Sequence, residues 1–377
     1  MTISSELQRV FMKEKYISWA GPHFWGNEEV YVNDALQSSW ISGGEYVNKL
    51  EADFSKFCKA SYTVSASNGT TALHMAYLAL NIKPNDEIII PGFGFMAAAN
   101  VALHVGAIPV FSEVNSDSWC MTVEDVEKCI TTKTKAIVPI HTYGNMCDMD
   151  PILDLANRKG LIVIEDAAEA IGSKYKGRMA GTIANVGTYS FHATKTITTG
   201  EGGAVVTNDI ELRDRMMLYR SHGMSSKRYW HEVAGHNFRL TNMQAAIGCA
   251  QLEQINKIIF ERERVYALYQ RLLVNIDGVA LQTYSNDIDP VVWAIGVELD
   301  TVAFPQGRDI VIEQLRELGI ETRPGFYSAD TMPHIYGNMQ LPICNRLSCK
   351  VLSLPSSPTL TDEEINYVCD SLNACKK

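Results

Sequence analysis

Ile162-Val163-Ile164-Glu165-Asp166-Ala167-Ala168-Glu169 decides the fold. A short, uniformly apolar run that breaks straight into carboxylates reads as a strand buried on both faces whose end meets a ligand, because open α/β sheets bind beyond the carboxyl ends of their strands. Six further runs repeat the pattern on either side: Tyr62–Ser65, Glu87–Pro91, Pro109–Phe111, Ala136–Ile140, Thr188–Phe191 and Ala204–Thr207. Helix-like segments separate most of them, as at Asp150-Pro151-Ile152-Leu153-Asp154-Leu155, where Asp150 suits a cap and Pro151 a first turn. The alternation predicts an α/β fold with a mostly parallel central sheet covered on both faces.

Outward from this region the pattern changes. Asn27–Ser38 and Tyr46–Cys58 have helical spacing around a Gly43-Gly44 turn, and helical patterns run from Thr241 through Leu273. A strand at Val291–Glu298, a helix Arg308–Leu318 stopped by Gly319, and a final helix opened by the Thr361-x-x-Glu364 capping box follow. A boundary near residue 260 is expected, giving a large domain over 1–260 and a smaller C-terminal α/β domain over 261–377.

With 46% hydrophobic and 20% charged residues, the 377-residue chain has ordinary globular composition, which excludes wholesale disorder. A net charge of −10 and the lack of any basic run argue against nucleic acid as a partner. Charges at Glu6, Arg9, Lys13, Glu14 and Lys15 leave no apolar core for a secretory signal, and Ala97–Phe111 is too short to span a membrane. Nine cysteines without a C-x-x-C pair read as reduced thiols, so a cytoplasmic location is expected. Gly200-Glu201-Gly202-Gly203 fails the dinucleotide fingerprint, and His231-Glu232 with His236 has one residue too many for a zinc helix, so no metal is expected.

Three segments carry chemistry. Ser67-Asn68-Gly69-Thr70-Thr71 opens a helix after the first strand, where free N–H groups and the helix dipole favour a phosphate, although an ordinary capped helix would look the same. Asp166 ends its strand where a carboxylate can hold a cationic ring nitrogen; it could equally cap a following helix. Lys195 lies in Tyr189-Ser190-Phe191-His192-Ala193-Thr194-Lys195, among apolar and hydroxyl side chains, and a desolvated lysine can form a Schiff base, whereas a surface lysine is the plain alternative. An amine, a carboxylate and a phosphate cup together are what pyridoxal phosphate requires. Phe95, in Pro91-Gly92-Phe93-Gly94-Phe95, offers an aromatic lid or simply a core residue.

Over nearly its whole length, from Trp40-Ile41-Ser42 to Leu354-Pro355-Ser356, the chain resembles the DegT/DnrJ/EryC1/StrS sugar aminotransferases, which are fold type I pyridoxal phosphate enzymes. The resemblance rests on Ser67–His74, Glu165–Lys176, Lys195–Asn208, Tyr229-Trp230-His231, Asn237-Phe238-Arg239, Asn242–Glu253 and Glu321-Thr322-Arg323-Pro324. It implies that Lys195 carries the cofactor and shuttles the proton, that Asp166 holds the pyridine nitrogen, and that Phe95 stacks on the ring. It also places Gly69, Thr70 and Ser190 around the phosphate, Glu169 near the cofactor, and Asn237 on a segment reaching a neighbouring subunit in a homodimer. L-Glutamate is the implied donor and a nucleotide-linked keto sugar the acceptor, with the 4-keto carbon of a GDP-linked 6-deoxyhexose favoured by Glu169 and by the Tyr229-Trp230-His231 run. Such products serve surface polysaccharides, lipopolysaccharide O-antigen or capsule. Arg239 is the candidate for the donor carboxylate because a guanidinium fork matches it. His231 and Asp330 are candidate sugar contacts; Ser328-Ala329-Asp330 stands where relatives carry a histidine. Other keto sugars, a small keto phosphate, a sugar dehydratase with His in place of the lysine, and a non-catalytic regulator are the competing readings.

Overall fold

The computed structural model describes residues 16–335 and 339–377; the N-terminal charges read above lie outside them. Its strands, in chain order, are β1 (Tyr62–Ala66), β2 (Glu87–Pro91), β3 (Ile108–Ser112), β4 (Thr134–Ile137), β5 (Ile162–Asp166), β6 (Lys174–Tyr175), β7 (Arg178–Met179), β8 (Val186–Ser190) and β9 (Gly203–Thr207). The second half adds β10 (Val279–Leu281), β11 (Ile288–Asp289), β12 (Ile295–Leu299), β13 (Arg323–Pro324) and β14 (Val351–Leu354).

All seven runs named from the sequence join one sheet, in the order β1-β9-β8-β5-β4-β2-β3. Only β9 runs against the others: it pairs antiparallel with β1 and β8, while the remaining pairs are parallel. Side chains alternate across the sheet, so each strand feeds two cores. Ile88, Ile90, Ile164 and Val205 pack with the helices Gly69–Ala79 and Ala97–His104 on one face. On the other, Ile89, Val163, Ala204 and Val206 pack with the helices Glu45–Cys58, Met149–Lys159 and Asn242–Glu253. Burial on both faces explains why these strands are apolar throughout.

A four-stranded antiparallel sheet, β10-β12-β14-β13, forms the second layer system. The helices Ile255–Leu273, Arg308–Glu317 and Asp362–Ala374 bury Tyr269, Leu315, Ile365 and Leu372 with Val297, Leu352 and Leu354 of that sheet. Ile17, from before the first helix, joins this core and bridges Ile320. The Thr361 and Glu364 capping box forms as read, and Gly319 (φ 77°) follows the helix it was expected to stop.

Three local readings change. The helix expected to be capped by Asp150 begins two residues earlier, with Asp148 at the cap position, and Asp150 instead binds Lys176 and Arg178. The strand expected from Val291 begins only at Ile295, because Val291 and Trp293 turn inward to donate their N–H groups to Ser173 Oγ and the Tyr143 carbonyl. The Thr241–Leu273 pattern divides into two helices at Gln254.

Candidate active site

Because β1, β2, β4, β5 and β8 are parallel, the segments that leave them emerge along one edge of the sheet. After β1, Asn68 Oδ1 accepts the Thr71 N–H at 2.8 Å and Thr71 Oγ1 accepts the Asn68 N–H at 3.1 Å. This reciprocal cap fixes the helix start and leaves the Gly69 and Thr70 N–H groups at its open end. Ser190, at the end of β8, lies against them: a Cβ on Gly69 would stand 2.9 Å from Ser190 Cβ, so only glycine permits this approach.

On β5 the two adjacent acids part company, since neighbours on a strand face opposite ways. Glu165 is fully buried away from the site, where it accepts N–H groups from Gly181, Ile183 and Ala184 and meets His141 Nε2 at 3.1 Å. Asp166 faces the cavity at 5% exposure, with Oδ1 accepting the Ala168 N–H at 3.1 Å. No helix follows it, so the capping alternative falls away. Burial pushes its carboxyl above the ordinary range, opposed by the Ala168 N–H and by Lys195.

Lys195 sits in the turn-rich connection between β8 and β9, its side chain only 12% exposed, which removes the surface alternative. Its Nζ lies 3.7 Å from Glu169 Oε1 and 3.5 Å from the centre of the Trp293 indole. Burial lowers its amine below the usual lysine range, while Glu169 and Asp166 pull it upward. Glu169 is in turn fixed by the Tyr143 N–H, which reaches Oε2 at 2.9 Å. Tyr143 holds the left-handed conformation (φ 61°), a strained state for a tyrosine that aims its N–H at Glu169. Gly200 (φ 82°) turns the chain after Lys195, and Gly203 packs against the Asn68 carbonyl, which a Cβ would strike at 2.6 Å.

These groups line a cavity of about 720 Å³ that brings together Gly69, Thr70, Phe95, Asp166, Glu169, Ser190 and Lys195. Phe95 is 61% exposed at its rim, which removes the core reading. Trp293, Tyr143, Phe326 and Trp19 also line it and went unnoticed in the sequence; distance along the chain hides them, and only Trp293 in an otherwise aliphatic run offered a signal.

Four candidates, Asn237, Arg239, His231 and Asp330, do not line the cavity. Arg239 lines a separate surface recess with Trp40, Gly43 and Gly44, and its Nε donates to Asn237 Oδ1 at 3.0 Å. His231 is exposed and its Nδ1 pairs with the His222 carbonyl at 2.7 Å. Asp330 does not line the cavity: Ser328 Oγ and Asn345 Nδ2 donate to its two oxygens at 2.6 and 2.7 Å, and the Leu341 N–H also reaches it. Its carboxylate ties a loop to the helix Pro342–Lys350, which corrects the expectation of a sugar contact within this chain.

Residues 25–373 match the DegT/DnrJ/EryC1/StrS aminotransferase family. The chain belongs to that family. It is 42% identical over 362 residues to GDP-perosamine synthase of Escherichia coli O157:H7, covering 95% of this chain and 98% of the relative. The Vibrio cholerae GDP-perosamine synthase is 39% identical over 358 residues, covering 93% and 96%. Among solved structures, S. venezuelae DesV in complex with a ketimine intermediate superposes with a TM-score of 0.87 at 32% identity, covering 92% of this chain and 94% of that one. An aminotransferase from Psychrobacter cryohalolentis gives 0.89 at 30% identity, covering 96% and 98%. The protein is therefore a pyridoxal-phosphate-dependent sugar aminotransferase with the type I fold expected from its sequence. The residues fit that cofactor: the Gly69 approach leaves helix N–H groups for a phosphate, Asp166 offers a buried carboxylate, and Lys195 supplies a desolvated amine.

Proposed function

We propose that the protein transfers the amino group of L-glutamate to a nucleotide-linked keto sugar, GDP-4-keto-6-deoxymannose, and so makes GDP-perosamine. The observation that carries the substrate is the near full-length match to two GDP-perosamine synthases. In this reading Lys195 would hold the cofactor covalently and, once freed, its neutral amine would serve as the base and acid that moves the proton at the donor Cα. Pyridoxal phosphate supplies an electron-withdrawing ring that stabilises negative charge on the donor carbon. Asp166 keeps that ring protonated at nitrogen, and the Gly69, Thr70 and Ser190 cup anchors the phosphate. Glu169, 3.7 Å from Nζ, would stabilise the ammonium that Lys195 becomes once it has taken the proton, with Trp293 beside it. Phe95 closes the ring's outer face.

The enzyme is a cytoplasmic homodimer serving O-antigen or capsule synthesis in this proposal. The exposed Trp40, Tyr229 and Trp230, together with Asn237 and Arg239 outside their own chain's cavity, support a partner subunit there. Asn237 then completes the partner's phosphate cup, while Arg239 and His231 meet substrate across the interface. The large and small units divide near residue 260. Amination of GDP-4-keto-6-deoxymannose by glutamate, set beside other nucleotide-linked keto sugars and simple keto phosphates, tests the assignment. Turnover of the GDP sugar supports it; an inert GDP sugar beside a reactive smaller ketone refutes the acceptor while leaving the transamination intact.

A further inference from the structure

Arg262 is a guanidinium at 4% exposure in the helix Ile255–Leu273, far in sequence from the lysine loop. No carboxylate pairs with it among the described residues. Its fork is taken up by carbonyl oxygens: Nη1 donates to Trp293 at 3.1 Å and Ser356 at 3.4 Å, and Nη2 to Lys195 at 3.5 Å. Two of these three carbonyls belong to Lys195 and to the tryptophan on which its amine rests. Trp293 Nε1 donates in turn to the carbonyl of Thr194, the residue before the lysine, at 2.6 Å. One buried cation thus joins the backbone of the amine to the backbone of its platform. A buried, uncompensated charge is costly, and its retention here calls for a task.

We propose that Arg262 is a positioning residue for Lys195, holding the lysine and Trp293 in one register and placing a fixed positive charge behind the reactive amine. This deepens the aminotransferase reading and rests on it. The charges facing the amine are Glu169 and Asp166 from the segment ending β5 and Arg262 from behind; Arg323, His192, Glu201, Tyr143 and Tyr189 are the other charged and titratable residues lining the cavity. The two carboxylates favour the ammonium form, and burial, with Arg262 as a smaller contributor, opposes it, keeping more of the amine neutral and able to attack an aldehyde.

The test follows capture of pyridoxal phosphate by the full-length, cofactor-stripped chain, read as the rise of the borohydride-reducible absorption band from pH 6 to pH 10. Arg262→Met removes charge and fork; Arg262→Lys keeps the charge and loses the fork. For Arg262→Met we expect the pH midpoint of capture to rise by about half a unit, with capture at pH 7 slowed about threefold. For Arg262→Lys we expect an unmoved midpoint and a pH-independent slowing of a few-fold. A midpoint in Arg262→Met equal to that of the wild type overturns the proposal, even if the rate falls with the melting temperature. If Arg262→Met does not fold, Arg262→Lys decides: wild-type capture rates at every pH overturn it, and pH-independent slowing in a chain that melts like the wild type supports it. Failure of the wild-type chain to capture cofactor at all would instead refute the underlying reading of Lys195.

Discussion

Replacing Asp166 with asparagine isolates the charge proposed to face the ring nitrogen of the cofactor. The side chain is 5% exposed, and an amide of the same size still offers Oδ1 to the Ala168 N–H, so local packing is preserved. What disappears is a carboxylate able to hold a proton on the ring. A hydrogen bond to a charged group in such a setting contributes about 1.5–3 kcal/mol. At about 1.36 kcal/mol per decade, a loss near 2.7 kcal/mol slows turnover by about 10²-fold. Because burial raises the Asp166 carboxyl and so penalises its charged form, Asp166→Asn should not lower the melting temperature. The assay is stopped-flow absorbance of the bound cofactor with excess glutamate in a single half-reaction. Borohydride should still attach the cofactor to Lys195 in the variant, separating lost electron withdrawal from lost binding. Turnover within about threefold of wild type would show that another group serves the ring nitrogen.

Gly69→Ala drives a Cβ to 2.9 Å from Ser190 and should weaken cofactor affinity by about tenfold or more, as measured by fluorescence titration, with little change in fold. Glu165→Ala strands the N–H groups of Gly181, Ile183 and Ala184 beside a buried His141; a loss of about 3 kcal/mol or more is expected in denaturant unfolding, and an unchanged midpoint would remove its structural role. His23, buried beside Trp25 and Arg262, titrates at about 4, depressed by burial and then by Arg262. A histidine with a depressed folded pKa binds protons more readily when unfolded, so stability should fall as pH drops from about 6.5 towards 4, by about 2 kcal/mol at pH 5. Thermal melts of wild type and His23→Gln should converge at low pH; equal pH slopes would contradict this assignment.

The strands were legible because burial on both faces forces each to be apolar, and the candidate cofactor residues because they stand at or just beyond strand ends. Periodicity could not separate Glu165 from Asp166 in function, although strand alternation sends one into a structural network and the other into the cavity. The Asp148 cap was hidden by Asp150, two residues along, whose acid serves an ion pair with Lys176 instead. Tyr143 and Arg262 were invisible because their contacts with Glu169 and Lys195 span 26 and 67 residues of chain. A local pattern carries no record of such contacts. Asp330 shows the converse: the sequence offered it as a sugar contact, and within this chain its oxygens meet Ser328, Leu341 and Asn345.

Borohydride reduction of the purified holoenzyme, followed by peptide mapping, tests the central claim most directly. The account predicts a single phosphopyridoxyl label, carried by Lys195 and absent from Lys195→Ala. A label on any other lysine, or an unaltered label in Lys195→Ala, would contradict it.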